Sequence, residues 1–331
     1  VGDPFCAGCG HHHFDDFDEQ ENQLNKEERM SKESFSFSEV QSAGSIDLPA
    51  PETLTASDGV KLVYRKYIPQ NPRAVLLFHH GGGAHSGAGY QHLGNGLQTQ
   101  FDVAVYMPDL RGHGASGGAR GDAPSPKQVW ADVTTFIKQI RAEFPGLPFI
   151  LGGHSSGGGL ILNYASQPEH ETVDRYLFVS PELGFRSNTA RPNRTDFAAV
   201  TTFPFIVNAM SGGALLGHSH AVRFNYPKEL LAADKGMVAS YSVNMANAVT
   251  PSAPHQQFKN LDRPFGLWIG ADDELLLPGM VLAFADLAAT VRASSETGSI
   301  PNANHLSVLL NAHATVGPWI ANFVQGKNPQ G

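Results

Sequence analysis

Phe149-Ile150-Leu151-Gly152-Gly153-His154-Ser155-Ser156-Gly157-Gly158-Gly159-Leu160-Ile161-Leu162 is the stretch that decides the fold. A short apolar run enters the pentapeptide Gly153 to Gly157, of the form Gly-x-Ser-x-Gly, and leaves into a pattern rich in Leu, Asn and Ala that can open a helix. Strand, tight turn, helix is the context in which such a pentapeptide presents its serine at the top of a sheet. The turn forces the serine into strained backbone angles and leaves no room for side chains two residues to either side, hence the glycines. Ser155 is therefore the candidate nucleophile.

The same alternation extends outward from this point. Ala74 to Phe78, Val103 to Met107, Tyr176 to Val179 and Phe265 to Ile269 are short continuous apolar runs, as strands buried on both faces require. Glu52 to Tyr67 reads as two strands around an Asp58-Gly59 turn. Between the runs lie helical patterns, the clearest from Ser125 to Phe144. Ser125 can cap that helix with Pro126 at its first position, and Val129, Val133, Phe136, Ile137, Ile140 and Phe144 fall on one face. Strands alternating with helices predict an α/β fold with a mostly parallel sheet covered on both sides.

Two intervals break the alternation. Residues 1–45 are polar and acid-rich and read as a disordered leader. Its Cys6-Ala7-Gly8-Cys9-Gly10-His11-His12-His13 run clusters metal-ligating groups, but no separated second ligand pair accompanies it, so no metal site is expected. Met30 is a candidate start. Residues 181–262 are too long for a loop in a compact domain and predict a helical cap inserted between core segments 46–180 and 263–331. The cap carries Phe203, Phe205, Ile206, Val207, Met210, Leu215 and Leu216. Phe205 and Met210 are the candidate substrate-binding residues, as an apolar wall above Ser155. Asn193-Arg194-Thr195 is read as a chance sequon.

With 331 residues, 41% hydrophobic, the chain can bury a large core. A net charge of −8 argues against a nucleic-acid surface, and two cysteines give the folded body no disulfide framework. No apolar run reaches the roughly 18 residues of a membrane span, and the start lacks a secretory pattern, so a soluble cytoplasmic protein is expected.

Ser155 needs a base, and the base an acid to orient it. On an elbow of this kind the acid and then the histidine follow the serine, each after a later strand. Gly270-Ala271-Asp272-Asp273-Glu274-Leu275 follows the run at 265–269, and Pro301-Asn302-Ala303-Asn304-His305-Leu306 follows the next strand, near Ser295 to Ile300. His305 is the candidate base.

From about residue 52 to 325 the chain resembles α/β-hydrolases of the monoacylglycerol lipase and serine aminopeptidase S33 type, often termed lysophospholipase-like. The segments that carry the resemblance are His80-Gly81-Gly82-Gly83-Ala84-His85-Ser86-Gly87, Asp109-Leu110-Arg111-Gly112-His113-Gly114-Ala115-Ser116, the elbow, and Gly270 to Leu275 with His305. The resemblance implies Asp273 as the acid rather than Asp272, with oxyanion donors from the backbone of Gly82 and Ser156. It implies structural roles for Asp109 and His113. Two positions depart from the family pattern: Ala84 stands where Glu is common, and Ser156 where Met often follows the nucleophile. The Gly81–Gly83 run is also similar to the hormone-sensitive lipase family, whose elbow usually carries Asp before the serine.

The implied activity is cofactor-free hydrolysis of small carboxylic esters through an acyl-enzyme on Ser155. Aminopeptidase or amidase activity and acyl transfer to an alcohol share the same chemistry, and a non-catalytic ligand-binding member of the fold is the reading from a different class.

Overall fold

In the computed structural model, which describes residues 38–44, 46–192 and 197–327, the apolar runs form the middle of an eight-stranded sheet. Its strands are β1 (Glu52–Thr55), β2 (Lys61–Tyr67), β3 (Ala74–His79), β4 (Val103–Pro108), β5 (Phe149–His154), β6 (Arg175–Val179), β10 (Phe265–Gly270) and β11 (Glu296–Ile300). Their order is β1-β2-β4-β3-β5-β6-β10-β11. β2 pairs antiparallel with both neighbours. Every other pairing is parallel. β3, β4, β5 and β10 are buried along their whole length, which explains why they read as unbroken apolar runs and not as alternating ones.

Helices cover both faces. On one side α2 (Gln91–Phe101) and α10 (Val308–Lys327) join the sheet in a core that includes Leu76, Phe78, Val105, Ile150, Val179, Trp268, Leu93, Leu97, Trp319 and Ile320. Trp268 and Trp319 meet edge to face, 5.2 Å between ring centroids. On the other side lie α3 (Pro126–Glu143) and α4 (Ser156–Ala165). Ser125 caps α3 as its sequence predicts, its hydroxyl accepting from the Gln128 N–H at 3.2 Å, and Val129, Val133, Phe136, Ile137 and Ile140 are buried. Phe144 stands just past the helix end, half-buried.

Two of the expected segments hold structure that their sequence does not announce. Within the stretch expected to be a disordered leader, Ser38–Ser42 forms a short helix, α1, whose Val40 side chain lies beside Gly89. The insertion at 181–262 is not wholly helical. β7 (Ala198–Val200), β8 (His220–Phe224) and β9 (Ser240–Ser242) form a separate three-stranded antiparallel sheet, accompanied by α5 (Thr202–Met210) and α6 (Lys228–Ala233). Strands of three to five residues that mix His, Arg and Ser with apolar residues leave no alternation long enough to read. Within the same interval, α7 (Val243–Val249) packs on α3 and α4, and α8 (Pro254–Lys259) packs on α4, so this last part completes the helical layer of the core.

The Cys6, Cys9 and His11–His13 run, Met30 and the Asn193-Arg194-Thr195 sequon lie outside the described residues. No helix among the described residues is long and apolar enough to cross a membrane.

Candidate active site

Chain order places the site before any side chain is considered. The chain passes from β3 to β4 on one side, then returns to place β5 on the other side of β3. A crevice opens at the carboxyl ends of strands where the order reverses in this way. Into it lead the loop after β3, which carries Gly82, and the turn after β5, which carries Ser155. The loops after β10 and β11 bring Asp273 and His305 to the same edge.

Ser155 has φ 53° and ψ −121°, a strained left-handed geometry held by its own N–H donating to the Val179 carbonyl at 3.1 Å. The glycines of the pentapeptide have steric reasons. A Cβ on Gly153 would lie 2.3 Å from the Gly157 carbonyl carbon, and one on Gly157 would lie 2.3 Å from the His79 carbonyl oxygen.

The Ser155 hydroxyl lies 2.9 Å from His305 Nε2, and His305 Nδ1 lies 2.8 Å from Asp273 Oδ2. All three residues are buried, Asp273 completely. The other carboxylate oxygen of Asp273 accepts from the N–H groups of Leu275 (3.0 Å) and Leu276 (2.8 Å). Burial pushes the Asp273 carboxyl up, but the His305 charge and hydrogen bond with these two donors outweigh it, and it sits below its ordinary value. Burial pushes His305 down, and the Asp273 charge and hydrogen bond reverse that, so its pKa lies above the ordinary value. Asp272, by contrast, is exposed, and its N–H is spent on the Ala303 carbonyl at 3.0 Å. Glu274 holds the His305 backbone N–H at 2.8 Å. A serine hydrogen-bonded to an imidazole whose far nitrogen faces a buried carboxylate can transfer its proton and attack a carbonyl carbon.

The loop after β3 is pinned by hydrogen bonds on both sides of one donor. Gly81 N–H donates to the Tyr90 hydroxyl at 2.6 Å, and Gly83 N–H donates to the Tyr241 hydroxyl at 2.8 Å. Between them, the Gly82 N–H has no hydrogen-bond partner among the described residues. It lies beside Ser156, since a Cβ on Gly82 would stand 3.0 Å from Ser156 Oγ. Ser156 is the first residue of α4, and the N–H groups of a helix's first turn have no partner within the helix. Gly82 and Ser156, the two expected donors, are thus brought together at the serine.

Three buried imidazoles back this loop, and their partners fix their tautomers. His154 Nε2–H donates to the His305 carbonyl at 2.8 Å, leaving Nδ1 to accept from the Tyr90 hydroxyl at 2.9 Å. His113 Nδ1–H donates to the Arg111 carbonyl at 2.9 Å, leaving Nε2 for the Tyr241 hydroxyl at 2.8 Å. His80 accepts from the Leu110 N–H at 3.0 Å and donates to the Gly81 carbonyl at 2.9 Å. Burial lowers His154 to about 3 and His80 to about 4, and it carries His113 well below its ordinary value. All three are therefore neutral at neutral pH. Asp109 accepts from the N–H groups of Ser86 (2.8 Å) and Ala115 (2.9 Å), tying the loop after β4 to the loop after β3.

The two substrate-binding candidates fare differently. Met210 is 84% exposed and Phe205 is half-buried, both on α5. A surface hollow of about 480 Å³ lined by Pro124, Leu216, His218 and Asn244 among others contains none of the site residues. Besides the tyrosines that hydrogen-bond the loop, Phe224 of β8 reaches it: a Cβ on Gly82 would meet the Phe224 ring at 3.1 Å. Sequence reasoning missed Tyr90, His154, Tyr226 and Tyr241 in this site. His154 and Tyr90 lie within or beside quoted motifs, but Tyr226 and Tyr241 stand in the insertion with no local signal.

A mostly parallel sheet whose order reverses at the site, with a strained serine between strand and helix, defines the chain as an α/β-hydrolase. More narrowly, it belongs to the serine aminopeptidase S33 family, whose profile matches residues 70–307. Monoglyceride lipase of Homo sapiens is 29% identical over 233 residues, 69% of this chain and 74% of its own. Monoacylglycerol lipase of Mycolicibacterium smegmatis is 34% identical over 110 residues, 33% of this chain and 39% of its own. Among solved structures, a soluble variant of the Saccharomyces cerevisiae monoglyceride lipase with a substrate analog matches 85% of this chain and 96% of its own, with TM-score 0.61 at 19% identity. That likeness establishes the fold alone.

Proposed function

We propose that the chain is a serine hydrolase of carboxylic esters, with small-molecule esters of the monoacylglycerol or lysophospholipid kind as its substrate class. The observation that carries this reading is the hydrogen-bonded string Ser155–His305–Asp273 beside a Gly82 N–H that has no partner among the described residues. His305 Nε2 takes the Ser155 proton as Oγ bonds to the ester carbonyl carbon, and Asp273 stabilises the imidazolium. The Gly82 and Ser156 N–H groups receive the oxyanion. Collapse breaks the C–O bond to the alcohol, which takes the proton back from His305. Water then attacks the acyl carbon with His305 again as base, the bond from Ser155 Oγ to that carbon breaks as Oγ takes the proton from His305, and the carboxylic acid leaves. No cofactor is needed. The names of the relatives support the ester class, and the exposed apolar side chains Phe203, Ile206, Met210 and Leu215 on the insertion favour amphiphilic substrates.

The test is a panel of p-nitrophenyl esters of graded chain length, run beside aminoacyl anilides on wild type and Ser155→Ala. Turnover of the esters, lost in Ser155→Ala, is the expected result. Efficient cleavage of the anilides with poor ester turnover would transfer the same machinery to the peptidase branch, and equal ester turnover in Ser155→Ala would end the proposal.

A further inference from the structure

We propose that Tyr226 and Tyr241 of the insertion are positioning residues for the oxyanion donor, so that the insertion helps to build the catalytic loop. The inference rests on the ester-hydrolase reading above.

The argument follows the peptide units of the loop. Gly82 N–H and Gly81 C=O belong to one unit, and that carbonyl accepts from His80 Nδ1 at 2.9 Å and from the Ala84 N–H at 3.2 Å. The next unit comprises Gly82 C=O and Gly83 N–H. Its carbonyl accepts from the Tyr226 hydroxyl, and its N–H donates to the Tyr241 hydroxyl at 2.8 Å, so two insertion side chains grip one peptide plane from both edges. Gly83 C=O then accepts from the Val238 N–H of the same insertion at 2.7 Å. With all its neighbours held, the Gly82 N–H is the one polar group of the Gly82 residue left to meet a ligand.

Direction matters as well as contact. The Tyr241 oxygen accepts from Gly83, so its proton goes to His113 Nε2, and His113 is fixed as an acceptor there because its Nδ1–H is committed to the Arg111 carbonyl. Loop, tyrosine, histidine and backbone form a string in which each proton has one place to go. Tyr90 and His154 make a matching string from Gly81 to the His305 carbonyl, supplied by the core domain. Both insertion tyrosines are buried, and the Phe224 ring packs edge-on against Tyr241 at 4.7 Å. Preorganised donors stabilise an oxyanion because they need not reorient during reaction. Releasing one edge of the Gly82–Gly83 plane lets the adjoining donor turn away.

The experiment uses the full chain with Tyr241→Phe, Tyr226→Phe and the double variant. Readouts are kcat and KM on p-nitrophenyl butyrate, inhibition by an alkyl trifluoromethyl ketone, the rate of fluorophosphonate labelling of Ser155, and Tm. Each single variant should lose roughly 10- to 100-fold in kcat with KM within about twofold, since the misplacement touches only the developing charge. Affinity for the ketone, which binds as an oxyanion, should fall in step with kcat/KM. Labelling should slow likewise, and the double variant should lose less than the product of the two. To guard against a phenylalanine variant that does not fold, a fluorinated tyrosine at position 241 keeps the ring, weakens the oxygen as an acceptor from the Gly83 N–H and strengthens the O–H as a donor to His113. It should lower kcat severalfold. Folded variants with wild-type kcat and labelling rate, or losses confined to KM, would overturn the inference. A wild type that labels with fluorophosphonate yet turns over no ester would overturn the substrate reading instead.

Discussion

Asp273→Asn replaces the buried carboxylate with an amide of the same shape, and the geometry dictates how that amide must sit. One oxygen of Asp273 is held by the N–H groups of Leu275 and Leu276 at 3.0 and 2.8 Å. An asparagine satisfies those donors only with its carbonyl oxygen, which turns its NH2 toward His305 Nδ1. That nitrogen must then accept, the proton moves to Nε2, and Nε2 meets Ser155 as a donor that cannot take the hydroxyl proton. The expected fall in kcat is on the order of 10³ to 10⁴, about 4 to 5.5 kcal/mol of barrier. The pH profile should change with it. On the proposed mechanism the His305 base works only when neutral, so the acid limb of kcat/KM in wild type should lie above the ordinary histidine value of 6.5, where the Asp273 charge holds it. Without that charge burial dominates, and the limb moves to lower pH. Stability follows the same linkage. The raised His305 pKa gives stabilisation that is full below the unfolded value and lost as pH rises through the folded one. The depressed Asp273 pKa gives stabilisation present above the unfolded carboxylate value and lost as pH falls through the folded one. The assay is steady-state ester hydrolysis across pH 5 to 9, on the order of one measurement per half unit, for wild type, Asp273→Asn and Asp272→Asn. A folded Asp273→Asn with more than about a tenth of wild-type kcat, or a larger loss in Asp272→Asn, would refute the assignment.

Ser155→Ala should abolish fluorophosphonate labelling, read by mass spectrometry of the intact chain, and labelling elsewhere would redirect the search for the nucleophile. Ser125→Ala removes the cap of α3 and should lower stability by about 1 kcal/mol in urea unfolding while leaving kcat alone. No shift in midpoint would mean the 3.2 Å cap bond contributes nothing. Phe224→Ala should alter the acyl-length profile of ester hydrolysis, and Met210→Ala should not, because Phe224 reaches the oxyanion loop whereas Met210 is 84% exposed. The opposite pattern would put the acyl wall on α5.

The middle of the sheet was readable in the sequence because strands buried on both faces are apolar without interruption, and Ser155 and Asp273 were readable because each follows such a strand, whereas His305 follows the mostly polar β11 and was readable from its place after the carboxylates in chain order. Choosing Asp273 over Asp272 came from family resemblance, and the structure distinguishes them by burial: one side chain turns inward to His305, the other out to solvent. The exposure of Met210 was not legible in the sequence, for a specific reason. Phe203, Ile206 and Met210 recur at helical spacing, and that stripe of α5 faces outward, whereas an apolar stripe ordinarily signals burial. The strands of the insertion were hidden by their shortness. Tyr226 and Tyr241 were illegible because their partner is a backbone group over 140 residues away in the chain, at Gly82 and Gly83, and no local pattern encodes such a contact.

The order of the central sheet also bears on how the molecule comes to be active. Ser155 follows β5, whereas Asp273 and His305 follow β10 and β11, with β6 between the two groups. β10 docks on β6 only after the chain has closed a loop that contains the whole insertion, and parallel pairings over such separations carry a closure cost that slows them. During synthesis the elbow and its helix emerge well before His305, the proposed base. On the proposed mechanism a nascent or partly refolded chain thus holds an inert hydroxyl, and reactivity at Ser155 would report that the last two strands have taken their register.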